Sequence, residues 1–170
     1  MSEDMAMAPG TSLPSRKFEG RDDFQQLVRD AFAAAAREGW REIVISDATF
    51  EDWPLYERAV ADSLQSWSKT GRRMTILAKK YDEVIRRHAR FVTWRQAWTH
   101  IIEARGCPTA DPLELPSAIW SPAWVLERRD LDRSIGYCGA EPERRVLLRQ
   151  TLQEWLQKSS VAFPSATTGL

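Results

Sequence analysis

Apolar residues return every three or four positions from Phe24 through Leu27, Val28, Ala31 and Phe32 to Ala35, which predicts an amphipathic helix that Asp22 can cap and Gly39 can end. The pattern then changes. In REIVISD the apolar residues Ile43, Val44 and Ile45 are continuous, as expected of a strand covered on both faces. Asp52, Trp53 and Pro54 predict a second helix start, with Tyr56, Ala59, Val60, Ser63, Leu64 and Trp67 as its buried stripe. After Gly71, the residues Met74, Ile76, Leu77 and Ala78 predict another short strand. Strand, helix and strand within about 35 residues make a crossover unit with parallel strands.

A third helix is predicted over residues 82–97, with Val84, Ile85, His88, Phe91, Val92 and Arg95 on one face and Trp94 and Trp98 beside it. HIIEARG reads as a third strand, and the prolines of CPTADPLELPS exclude regular structure from the connection that follows. Two further strands are predicted at residues 118–127 and 133–137, separated by the charged RRDLD turn, with Pro122 placing the first at an edge or a bulge. The last helix follows Pro142 and is expected to bury Leu147, Leu148, Thr151, Leu152 and Trp155. The order of elements defines an α/β domain, a layered mixed sheet with helices on both faces. Residues 1–16 and 159–170 lack periodicity and are expected to be disordered and flexible ends of a single domain spanning residues 17–158.

Composition narrows the function classes. The 170 residues are 43% apolar and 28% charged with zero formal net charge, so one core is expected and no global field draws the chain to nucleic acid or to an anionic membrane. The charge is unevenly spread, however. Acidic residues dominate from Arg41 to Gln65, whereas Arg72, Arg73, Lys79, Lys80, Arg86, Arg87, Arg90, Arg95 and Arg105 dominate the next stretch. The N-terminal segment lacks the pattern of a secretory signal, and no segment is apolar enough for a membrane span, so a cytoplasmic protein without membrane contact is expected. Cys107 and Cys138 stand far apart and form no CxxC pair; two reduced, partly buried thiols are expected, with no metal and no cofactor.

Three stretches, AAAAREGWREIVISDATFEDWPLY, RRHARFVTWRQAWTHIIEAR and ERRVLLRQTLQEWLQKS, together with the strand, turn, strand and helix of residues 119–156, carry a family resemblance. The chain resembles one phospholipase D-like half and, more narrowly, an uncharacterised proteobacterial domain of that type sometimes attached to GNAT-type acetyltransferases. The resemblance implies a phospholipase D-like half-domain layout. Active members of the wider family use a nucleophilic His and a phosphate-binding Lys from each of two halves; here the corresponding strand offers Trp120, Pro122 and Trp124 instead. The scaffold is therefore expected without its reaction.

No HExxH, GxSxG or glycine-rich phosphate loop supplies another chemistry. His88 and His100 are the only histidines, and His88 falls on the apolar stripe of its helix, where burial is the ordinary outcome. Three functions remain open, of which the first is favoured over the other two. The first is a non-catalytic module that binds a protein partner or a second copy of itself, with Trp94, Trp98, Trp120, Trp124 and Arg128 as contact or stacking residues. The second is nucleic-acid or phosphate binding by the basic stretch from Arg72 to Arg105 with Arg128 and Arg129. The third is an enzyme pocket at the carboxyl ends of the parallel strands, with Asp47, Lys79, His88 and Arg105 around an anion.

Overall fold

The computed structural model of the chain describes residues 13–164. Its centre is an eight-stranded sheet in the order β1-β7-β6-β5-β2-β3-β4-β8. The strands are β1 (Arg16–Phe18), β2 (Glu42–Ser46), β3 (Arg73–Ala78), β4 (Ile102–Gly106), β5 (Ser117–Trp120), β6 (Val125–Asp130), β7 (Ile135–Gly139) and β8 (Ser160–Val161). β2, β3 and β4 are parallel, and every other pairing is antiparallel. The helices are α1 (Arg21–Glu38), α2 (Arg58–Ser68), α3 (Asp82–Arg87), α4 (Ala89–Ala97) and α5 (Pro142–Gln157).

The two faces of the sheet are unequal. Ile43, Ile45, Met74, Ile76, Ile102, Ala104, Ile119 and Leu126 turn one way into a large core with Phe24, Val28 and Phe32 of α1, Val60, Leu64 and Trp67 of α2, and Phe91 and Trp94 of α4. Side chains of the opposite parity turn the other way, where α5 and the connection between β4 and β5 meet them: Val44, Ala118, Trp120 and Val125 pack on Leu148 and Leu152, and Leu77 packs with Cys107, Ala110 and Leu115. The layered arrangement with helices on both faces is the one that the element order predicts.

Several boundaries differ from the sequence expectation, each for a local reason. α2 starts at Arg58, because Asp52 is bonded to Arg128 rather than to helix amides, and Tyr56 is half-exposed ahead of the helix. The helix expected over residues 82–97 breaks at His88, whose backbone (φ −116, ψ 59) separates α3 from α4 while its side chain bonds the carbonyl of Phe50. The strand expected over residues 118–127 is a hairpin. Ser121 Oγ accepts the amides of Ala123 (3.1 Å) and Trp124 (2.9 Å), and Pro122 sits in the turn, where its missing N–H costs nothing. Arg128 to Asp130, expected as turn, complete β6, and Asp130 then accepts the amide of Arg133 at 3.0 Å to close the turn that follows.

The ends differ too. β1 lies partly inside the segment expected to be disordered: it pairs with β7 and buries Phe18, whereas residues 1–12 lie outside the described residues. β8 and the buried Phe163 lie inside the expected flexible tail, of which residues 165–170 are outside the described residues. On α5, Leu148 and Leu152 are buried as expected, but Leu147 is 63% exposed and Thr151 also faces solvent.

Candidate functional site

Two arginine–carboxylate clusters lie at different depths in the fold. The deeper one centres on Arg128 of β6, whose side chain is 2% exposed. Its guanidinium donates to Asp47 Oδ1 (3.0 Å), to Asp52 Oδ2 (2.6 Å) and Oδ1 (3.2 Å), to Ser134 Oγ (3.2 Å) and to Ser117 Oγ (3.1 Å). These five bonds use all five guanidinium N–H groups. The ring of Phe24 lies beneath, 4.1 Å from Cζ. Burial disfavours the charge, but Asp52 and Asp47 outweigh it and hold the guanidinium pKa above its ordinary value. Nothing on Arg128 remains for a ligand.

The same cluster locks the loop between β2 and α2. Asp47 Oδ2 accepts the amides of Thr49 (3.2 Å) and Phe50 (2.8 Å), and Phe50 has a left-handed backbone (φ 59). His88 Nε2 donates to the carbonyl of Phe50 at 2.8 Å, Gln25 to that of Asp52 at 2.6 Å, and Arg90 to that of Tyr56 at 3.0 Å. His88 is fully buried, with Tyr56 stacked 5.9 Å away, and among the described residues its Nδ1 has no partner. Burial pushes the imidazole pKa below its ordinary value, against the opposing hydrogen bond to Phe50. His88 is thus a neutral donor that pins a loop.

The four residues expected around an anion do not act together. Asp47 serves Arg128, His88 serves Phe50, and Lys79 donates to the carbonyls of Pro108 (2.8 Å) and Ala110 (2.7 Å). Of the four, Arg105 alone lines the groove described below. The tryptophans form no common platform. Trp120 packs under α5 while Trp124 joins the opposite core, because the hairpin turn between them puts them on different faces. Their indole N–H groups go to the carbonyls of Arg145 (2.8 Å) and Pro14 (2.9 Å), that of Trp94 to Ser68 Oγ (2.8 Å) and that of Trp98 to Gln65 Oε1 (3.0 Å). The basic stretch is dispersed as well: Arg86 and Arg87 pair with Glu83, and Arg95 is buried.

The shallower cluster lies on the other face, beside α5. A groove of about 510 Å³ runs between this helix and β2–β4, with Glu42, Arg73, Thr75, Glu103 and Arg105 from the strands, Trp120 at one end, and Arg149, Gln153 and Gln157 from the helix. Its ion pairs are long: Arg73 to Glu42 is 3.5 Å, Arg149 to Glu42 is 3.4 Å and Arg105 to Glu103 is 3.5 Å. Arg149 also lies over the ring of Trp120 at 4.4 Å. A smaller cavity lined by Arg72, Thr99 and His100 shares Arg73 and Glu103 with the groove and extends it past the strand ends. Arg105, Trp120 and the basic stretch were expected as contact residues from the sequence, whereas Glu42, Thr75, Glu103 and Arg149 were not. A signal was present: parallel strands covered on both faces are apolar on both, so the alternating polar positions Arg73 and Thr75, and Glu103 and Arg105, mark a face that helices do not fully cover.

No family model matches this chain, and no curated protein does. Among solved structures, the fold is similar to that of TrmBL2, an archaeal chromatin protein whose structure shows a novel mode of DNA binding. The TM-score is 0.65 at 15% identity, over 95% of this chain and 60% of that one. The likeness concerns the fold alone, and this chain spans about 60% of the length of that structure. Among the described residues no helix is long and apolar enough to cross a membrane.

Proposed function

We propose that the chain is a non-catalytic binding module, a phospholipase D-like half-domain without its catalytic pair, that holds the phosphates of a nucleic-acid strand in the groove beside α5. The observation that carries this reading is the convergence of Arg73, Arg105 and Arg149 around one open groove, each in a carboxylate pair of 3.4 to 3.5 Å. Charge-assisted hydrogen bonds are typically about 2.7–2.9 Å long. Half-exposed pairs of this looser kind contribute little, about 0–1 kcal/mol, and Arg73 and Arg149 each engage Glu42 through one nitrogen, which leaves N–H groups that a phosphate can take without displacing the carboxylate. Arg72 and His100 continue the track for an extended ligand. DNA binding by the structurally similar chromatin protein supports the same choice. A cytoplasmic setting accords with Cys107 and Cys138, both buried free thiols whose pKa burial pushes up.

The test is fluorescence anisotropy of a labelled single-stranded oligonucleotide over a range of salt. Neutralising three phosphates gives a log–log salt slope of roughly −2. Absence of binding at low ionic strength, or binding indifferent to salt, excludes the reading.

A second reading, a module for a protein partner or a second copy, is favoured by Val146 and Leu147 on α5, 55% and 63% exposed beside a cavity that Val125, Tyr137 and Leu147 line. Sedimentation should then show a mass that rises with concentration. A monomer at every concentration removes self-association.

A further inference from the structure

Arg105 belongs to two structures at once. Its Nη1 meets Glu103 at 3.5 Å in the groove, while its Nε donates to Ser159 Oγ at 2.9 Å and its Nη2 to the carbonyl of Ser159 at 2.8 Å. Ser159 opens the segment that leaves α5 and runs along the outer edge of β4, where Val161 stands opposite Arg105 and Ser160 opposite Gly106. A ladder this short is weak by itself, and the anchor lies farther along. Ala162 donates to the carbonyl of Ala104 at 3.1 Å, and Phe163, 6% exposed, stacks on Tyr81 at 4.8 Å.

Beneath Phe163 lies Arg95, which has no carboxylate partner among the described residues and whose Nε is buried without an acceptor. It donates to the carbonyl of Phe163 at 3.2 Å, with its guanidinium 5.5 Å from the Phe163 ring. A buried guanidinium short of acceptors makes that carbonyl costly to remove, which fixes the seat of the segment.

We infer that Ser159 is a positioning residue of the groove: residues 159–163, seated by Phe163, clamp one edge of the Arg105 guanidinium so that its Nη1 edge meets the phosphate of the ligand. The inference rests on the phosphate-binding reading above. An arginine already bonded through Nε has fewer rotamers left to lose when it binds, so its contact with an anion is stronger than that of a free side chain.

The test titrates the S159A, F163S and R105A variants and the S159A/R105A double variant of the 170-residue chain with the single-stranded oligonucleotide. Loss of the clamp weakens binding by about three- to tenfold and flattens the salt slope by up to roughly 0.7, the share of one phosphate contact. F163S, which unseats the segment from its far end, should give the same flattening and should speed exchange of the Ala162 amide. In the R105A background, S159A should change nothing further, because the two side chains act as one unit. S159A and F163S variants that bind like wild type, or losses from S159A and R105A that simply add, overturn the inference and leave the groove reading standing. Wild-type protein that binds no oligonucleotide overturns both.

Discussion

Arg128 and Arg149 each meet carboxylates and an aromatic ring, yet their surroundings give them opposite uses. Around Arg128 the carboxylate contacts are as short as 2.6 Å, all five donors are matched and the side chain is 2% exposed. Around Arg149 the pair is 3.4 Å long, the side chain is 38% exposed and its acceptor Glu42 is shared with Arg73. The first arrangement ties β2, β5, β6 and the turn before β7 into one body. The second leaves donors that water or a ligand can claim. An arginine beside a carboxylate is therefore uninformative until its depth and the number of its unsatisfied donors are known.

Breaking the deep cluster should have the largest effect. R128A leaves Asp47 buried without its counter-charge, and removal of one partner from a buried pair costs about 3–5 kcal/mol. Chemical denaturation should show a midpoint far below that of wild type, and a near-normal midpoint would mean that Asp47 and Asp52 find other partners.

The next effect is a pH dependence from His88, which pins the same loop. Its folded-state pKa is lowered by burial, so the unfolded chain takes up a proton first as the pH falls. Stability from this group is full above the unfolded value of about 6.5 and declines as the pH drops below it towards the folded pKa. Denaturation midpoints between neutral pH and about pH 5 should fall for wild type and fall less steeply for H88Q. Carboxylates held below their ordinary values by arginine partners, Asp23 by Arg16 and Glu57 by Arg29, lose their contribution only at lower pH. Equal slopes for wild type and H88Q would assign the dependence to other groups. At the small end, R149A should lower stability by less than about 1 kcal/mol, as an exposed pair does.

How far the sequence reveals this contrast depends on the range of the forces involved. α1, β2 and β3 were legible because burial on one face, or on both, imposes a period on the chain itself. Asp52 misled as a helix cap because its true partner, Arg128, stands 76 residues away. The hairpin of β5 and β6 read as one strand because its turn is made by Ser121 and carries two tryptophans at its margins, so apolar count continues through it. β1 and β8 are three and two residues long, too short for any period to register. Of the candidate site, β3 and β4 carry a signal in the alternating polar positions Arg73, Thr75, Glu103 and Arg105, whereas Glu42 at a strand start and Arg149 on an amphipathic helix look like any polar position until α5 is docked on Trp120.

The contrast between a structural and a ligand-facing arginine cluster is tested most directly by titrating the single-stranded oligonucleotide into the R73A/R149A double variant beside wild type, with thermal unfolding of both. The expected result is a loss of at least about tenfold in affinity, a salt slope flattened by roughly 1.4, and an unfolding temperature within a few degrees of wild type. Binding retained at wild-type strength by a folded R73A/R149A variant would contradict the assignment of the groove.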